Sequence, residues 1–305
     1  MTKNLHLLVH VPKCAGRTIE THFQRHLGSE RFWSPSRRSK RLPPEILGRK
    51  YDPTPPGPLD KIDAISGHMF GQSIEKLFPD RQFIRTVILR NPEQQILSWY
   101  NYRMMRYMSE GLYPFSFSLF LRAFPTDPVA YYLLERWLEM PWIRIASLSA
   151  EQKVALLDQT LSQFDRVVDI SKADELCAWH CQDLGIPLVP GRSNTSDEWV
   201  EKTGWKPIKH SDLSEHELQL LRGRFAIDRY LWRRWALKQD IKFERTSPSE
   251  FIPRQSLRPL YQLRLRTARQ FGPLGVARRR FMPRSGGISQ ISWLYLNYSV
   301  LGNFL

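Results

Sequence analysis

The apolar run Leu5–Val11 (LHLLVHV) constrains the fold more than any other stretch of this chain. It is rich in leucine and valine, is too short to span a membrane, and stops abruptly at Pro12-Lys13-Cys14-Ala15-Gly16. Such a run reads as a buried strand, and Arg17–His26 behind it reads as a helix. Strand, loop of small residues, helix is the opening of many α/β domains that bind phosphate. Small residues at 15 and 16 let the backbone approach a ligand, and the N–H groups of Cys14, Ala15, Gly16, Arg17 and Thr18 at a helix start favour an anion. Lys13 adds a mobile positive charge and Thr18 a hydroxyl donor. The lysine precedes the glycine, so the Walker A order is missing and an ordinary ATP or GTP site is disfavoured.

The same alternation continues. Lys61–Ser66, Phe83–Leu89 and Arg166–Ile170 read as further strands. Helical patterns cover 92–107, 116–140, 150–162, 172–184, 212–221 and 227–237, while the Pro-, Arg- and Lys-rich residues 31–60 read as a surface loop. Strands alternating with helices predict an α/β chain with a P-loop-like three-layer fold, its central parallel sheet flanked by helices. That domain is expected over 1–245. From 246 to 305 the character changes: nine arginines face a single acid, Glu250, and the chain ends in the apolar, Ser/Asn-interrupted stretch Ile288–Leu305. This basic C-terminal extension is expected to pack on the domain or to lie against an anionic membrane surface.

The net charge of +15 suits anionic nucleotides, polyanions or anionic lipid without choosing among them. Three cysteines, Cys14, Cys177 and Cys181, are too few and too odd for a disulfide framework. Cys177 and Cys181 bracket His180, but no fourth ligand is evident in the sequence. Reduced thiols and no metal are therefore expected. Met1–Asn4 leads straight into the first strand without a signal-peptide pattern, so a cytoplasmic protein, with peripheral membrane association as the alternative, or a fragment is expected.

A second group of residues follows the third strand: Arg90-Asn91-Pro92, with Ser98 about two turns into the next helix. Ligands collect at the carboxyl ends of strands in doubly wound sheets, where a guanidinium and a hydroxyl can hold a phosphate. With Pro12-Lys13-Cys14-Ala15-Gly16-Arg17-Thr18 some 75 residues upstream, the chain resembles the sulfotransferases that use 3′-phosphoadenosine-5′-phosphosulfate (PAPS), in the branch of the heparan 2-O- and 6-O-enzymes and other carbohydrate sulfotransferases. Weaker echoes are Ser66-Gly67-His68, Phe164–Ile170, Arg192-Ser193-Asn194, and Asp228 with Tyr230. The resemblance covers about residues 5–237. Arg17 stands where that family has Thr, Asn91 where it has Asp, and Gln94 and Gln95 where a second Arg is common.

The resemblance implies roles. Lys13 and the backbone of Cys14–Thr18 would hold the 5′-phosphosulfate, with Lys13 stabilising the leaving oxygen, and Arg90 and Ser98 would hold the 3′-phosphate. The partners implied are PAPS, its product 3′-phosphoadenosine-5′-phosphate (PAP), and a saccharide acceptor, with no nucleic acid. The acceptor hydroxyl needs a base, for which His68 is the candidate and Asp63 the weaker alternative. The competing readings are a nucleic-acid- or polyanion-binding protein, a nucleotide kinase with a divergent loop, and a catalytically inactive glycan-binding relative.

Overall fold

A computed structural model describes residues 3–35, 57–109, 116–189, 200–201 and 203–244. The predicted extension 246–305, and Arg192, Ser193 and Asn194, lie outside these residues. The chain divides into two units: Met1–Pro114 with Pro125–Thr246, and Phe115–Phe124 with Ser247–Leu305. In the second unit the described element is the helix Phe117–Ala123, whose N-cap Ser116 accepts a hydrogen bond from the Leu119 N–H.

The larger unit is built on a five-stranded parallel sheet flanked by helices, as predicted. Strand β1 (Asn4–Val9) leads through the Pro12–Ala15 loop into α1 (Gly16–Arg31). The chain then forms β2 (Phe32–Trp33), β3 (Ala64–Gly67), β4 (Gln82–Leu89) and α2 (Pro92–Ser109). β5 (Arg166–Asp169) and α3 (Ala173–Leu184) follow further on. The spatial order is β2-β3-β1-β4-β5. β1 is central: Val9 pairs with Gly67 of β3 on one side and Val87 of β4 on the other. Its apolar side chains explain this position, since Leu5, Leu7, Leu8 and Val9 are all buried, as a parallel strand covered on both faces requires.

Two predictions change. The loop expected over 31–60 contains β2, which pairs with β3 through Phe32↔Ala64 and Trp33↔Ile65. Gly28, at φ 67°, bends the end of α1 and makes room for this return. The helix expected over 116–140 is interrupted: after Phe117–Ala123 the chain restarts as α4 (Pro128–Tyr132) and widens into a π turn at Leu133–Trp137. Asp127, in the left-handed region at φ 47°, and Pro128 at the first helical position set that restart.

Asp127 also reaches across 100 residues. Its Oδ1 accepts from the N–H groups of Ile227 (2.9 Å) and Asp228 (3.2 Å) at the start of α5 (Ala226–Leu231). Asp228 in turn accepts from Val129 (3.0 Å) and Ala130 (2.8 Å) at the start of α4. Each carboxylate thus satisfies backbone donors at the beginning of the other's helix. Asp228, one of the family echoes, is a buried clamp between two helices. No described helix is long and apolar enough to cross a membrane.

Candidate active site

After β1 the chain forms β2 and β3 on one side of it and then crosses to β4 on the other, so the switch point of the sheet lies at the carboxyl ends of β1 and β4. Three predicted groups meet the sheet there: the Lys13 loop after β1, His68 after β3 and Arg90 after β4.

The loop is held open rather than capped. Lys13 (φ 66°) and Ala15 (φ 64°) both occupy the left-handed region, which costs a residue with a Cβ about 1 kcal/mol or more. Ala15 is the N-cap of α1 and contributes no side-chain cap, leaving the helix start open to an anion. The Cys14 side chain turns into the core and is 1% exposed, and its N–H bonds the Val11 carbonyl at 3.3 Å. Arg17 points outward, with Nη1 3.6 Å from Glu20 Oε2. Thr18 is half-buried, its N–H bonded to the Ala15 carbonyl.

Arg90 ties β4 to the loop: its Nη1 donates to the Lys13 carbonyl at 3.3 Å. The two cations share one half-buried space. Burial pushes the Lys13 ammonium down to about 8, with the Arg90 charge assisting. Burial also lowers Arg90 from its ordinary value. Among the described residues neither makes an ion pair with a carboxylate, and Arg90 Nε is enclosed without a hydrogen-bond partner. Lys13 Nζ lies 4.1 Å from the centre of the Tyr102 ring.

α2 supplies the third wall. Asn91 caps it, Oδ1 accepting from the Glu93 N–H at 2.9 Å and the Gln94 N–H at 3.3 Å, and Pro92 takes the first helical position. Asparagine therefore performs the capping that an aspartate would perform. Gln95 is buried and its Nε2 donates to the Pro12 carbonyl at 2.8 Å. Ser98 lies three residues after Gln95 and four before Tyr102, on the one helix face whose neighbours both touch the loop.

His68 is anchored by the loop strand itself, its Nδ1 2.6 Å from the His10 carbonyl. A carbonyl accepts only, so Nδ1 carries the proton and Nε2 the basic lone pair. Burial pushes this imidazole down to about 4, with His10 contributing. The His10 and His68 rings stack at 4.0 Å. His10 Nδ1 donates to Glu20 Oε1 at 2.7 Å, which also accepts from Ser66 Oγ at 3.1 Å. Burial acts to raise Glu20, but the bonds from His10 and Ser66 outweigh it and hold the carboxylate below its usual range. Asp63 sits at the other end of the sheet, before β3, bonded to Arg31 Nε at 2.5 Å. This removes it as a candidate base.

Sequence reasoning missed Gln95, Tyr102, His10 and Glu20. The 95/98/102 spacing on α2 was a usable signal; nothing in sequence linked His10 to Glu20. Gly16 belongs to the same unit, because a Cβ there would stand 2.4 Å from His10 Cδ2. Gly16→Ala must displace the His10 ring and break its bond to Glu20. A loss of about 1–3 kcal/mol in urea unfolding is expected; unchanged stability would show that the ring moves freely.

The fold and these strand ends define a doubly wound α/β protein with an uncapped loop and two cations at its switch point. No family model matches the sequence, and no curated protein matches it. Among solved structures, the chain is similar to a sulfotransferase from Alicyclobacillus acidocaldarius at 14% identity and a TM-score of 0.33, covering 66% of this chain and 90% of that one. At these values the likeness is distant and assigns neither donor nor acceptor here.

Proposed function

We propose that this protein is a sulfotransferase that takes a sulfuryl group from PAPS and places it on a hydroxyl of a carbohydrate or glycoconjugate. The observation that carries the reading is the pair Lys13 and Arg90: two half-buried cations beside an open helix start, with no carboxylate partner among the described residues. A site with this charge and enclosure fits a ligand bearing several anionic groups. The motif order Pro12–Thr18 then Arg90–Ser98 favours PAPS over ATP or GTP, and the carbohydrate branch that this order resembles favours a saccharide acceptor.

PAPS supplies the sulfuryl group and leaves as PAP. The Cys14–Thr18 backbone holds the 5′-phosphate, and Arg90 with Ser98 holds the 3′-phosphate. Lys13 neutralises the charge that develops on the leaving phosphate oxygen, where positioning and electrostatics supply most of the catalysis. His68 Nε2 takes the acceptor's proton. The resulting imidazolium is offset by the nearby Glu20 carboxylate, whose charge favours the protonated ring.

The pH dependence follows. Lys13 must be charged and loses its proton at about 8 in the free protein, so kcat/KM falls about tenfold per unit above that pH. Bound donor restores the charge, so the alkaline limb of kcat lies higher. His68 must be neutral, so the acid limb falls near 4. Rate profiles with labelled PAPS test both limbs. Run against acidic and neutral polysaccharides, phenols and tyrosine peptides, the same assay tests the acceptor. Transfer to saccharide alone is expected. Transfer to phenols alone would overturn the acceptor class, and no transfer by folded protein would overturn the activity.

A further inference from the structure

Away from the switch point, α1 and α3 face each other with a set of side chains the proposed reaction does not use. His22 and His26 lie one turn apart on α1, and Cys177 and Cys181 one turn apart on α3. A ring nitrogen of His22 and the two Sγ atoms all lie within 4.8 Å of one another, and all three residues are buried. The ligand atoms of a tetrahedral N/S zinc site are about 3.3–3.8 Å apart, given metal–ligand bonds of about 2.0–2.3 Å. Small side-chain rotations close the difference.

Two further observations point to a ligand. His22 Nε2 bonds the Pro187 carbonyl at 2.8 Å, so that nitrogen carries the proton and Nδ1 holds the free lone pair. A backbone carbonyl fixing the far nitrogen is the usual second contact of a metal-bound histidine. His26 stacks on His22 with ring centres 4.5 Å apart, and its Nε2 is enclosed with no hydrogen-bond partner. His180, which the sequence placed between the two cysteines, is not part of the group. It turns toward the sheet, with Nδ1 2.8 Å from His6 Nδ1 and Nε2 3.1 Å from Thr86 Oγ1.

We propose that the buried His22, Cys177 and Cys181 form a structural zinc site that ties α1 to α3, with the half-buried His26, which lies against His22 outside their 4.8 Å group, turning in as fourth ligand. Two thiolates and two imidazoles suit zinc and exclude the hard cations magnesium and calcium. Binding releases the two thiol protons to solvent and changes no oxidation state. Four protein ligands leave no position for a substrate, so the metal braces the helix that begins at Gly16 and has no part in sulfuryl transfer.

The test is cobalt titration of the full chain, kept reduced and stripped of metal by a chelator. One equivalent is expected to bind, with a thiolate-to-cobalt charge-transfer band and strong tetrahedral bands in the visible; one equivalent of zinc abolishes both. Cys177→Ser and Cys181→Ser each weaken the charge-transfer band, and His26→Ala keeps it while reducing the tetrahedral intensity. Absence of the band in folded, reduced wild-type protein overturns the site, and does so even if the serine variants fail to fold. A band unchanged in folded Cys177→Ser overturns the ligand set, and an unchanged visible spectrum in His26→Ala overturns the fourth ligand.

Discussion

Lys13→Ala lowers turnover with PAPS by about 10²–10³-fold, the usual cost of removing one group that stabilises developing charge in an enclosed site. Neither of the two described arginines near it substitutes for it. Arg90 is held by the Lys13 carbonyl, and Arg17 points to solvent. The strain of a left-handed Lys13 backbone fixes where its ammonium starts, beside the Tyr102 ring. Lys13→Arg keeps the charge but not the size, and restores only part of the rate. Steady-state kinetics with labelled donor measure this. A Lys13→Ala enzyme within about threefold of wild type would assign the leaving-group role elsewhere.

The second large effect is on stability. Burial raises both Asp127, to about 6, and Asp228, well above the usual carboxylate range, and the Asp127 charge further opposes ionisation of Asp228. In the unfolded chain both return to ordinary values near 3.8. The folded state therefore holds its protons more tightly, and stability falls as pH rises from about 4 through about 6. Asp127→Asn keeps an acceptor at Oδ1 and tolerates the left-handed backbone, yet removes one buried charge. It is expected to be more stable than wild type at pH 8, by about 1–3 kcal/mol, and equal to it at pH 4. Asp228→Ala at pH 4 has no charge to relieve and leaves the N–H groups of Val129 and Ala130 unpaired, a cost of about 2–4 kcal/mol. Urea unfolding at the two pH values separates these outcomes. Parallel pH slopes for wild type and Asp127→Asn would contradict the account of the pair.

The pair also marks the limit of what the sequence makes legible. The strands β1 and β4 were readable because short apolar runs bounded by turn residues mark buried strands, and the loop after β1 was readable because small residues follow one at once. β2 was not, because two residues have no period and its partner lies 32 positions away. The break in the helix expected over 116–140 depends on Asp127 reaching Ile227, a contact no local pattern predicts. Lys13, Arg90 and His68 were legible as neighbours because each follows a strand at the carboxyl edge of one sheet. Gln95 looked like a missing arginine, and only its bond to Pro12 shows it joining α2 to the loop. Cys177 and Cys181 were visible as a pair; His22, the histidine that lies near both, stands on a helix some 150 residues earlier.

The central claim is that Lys13 and Arg90 form a donor site. Calorimetric titration of the full chain with PAP, compared for wild type, Lys13→Ala and Arg90→Ala, tests it most directly. The account predicts one site of about micromolar affinity in wild type, weakened at least tenfold by Arg90→Ala and less by Lys13→Ala, because PAP keeps the 3′-phosphate but carries no sulfuryl group. Folded wild-type protein that does not bind PAP, or binding that Arg90→Ala leaves unchanged, would contradict it.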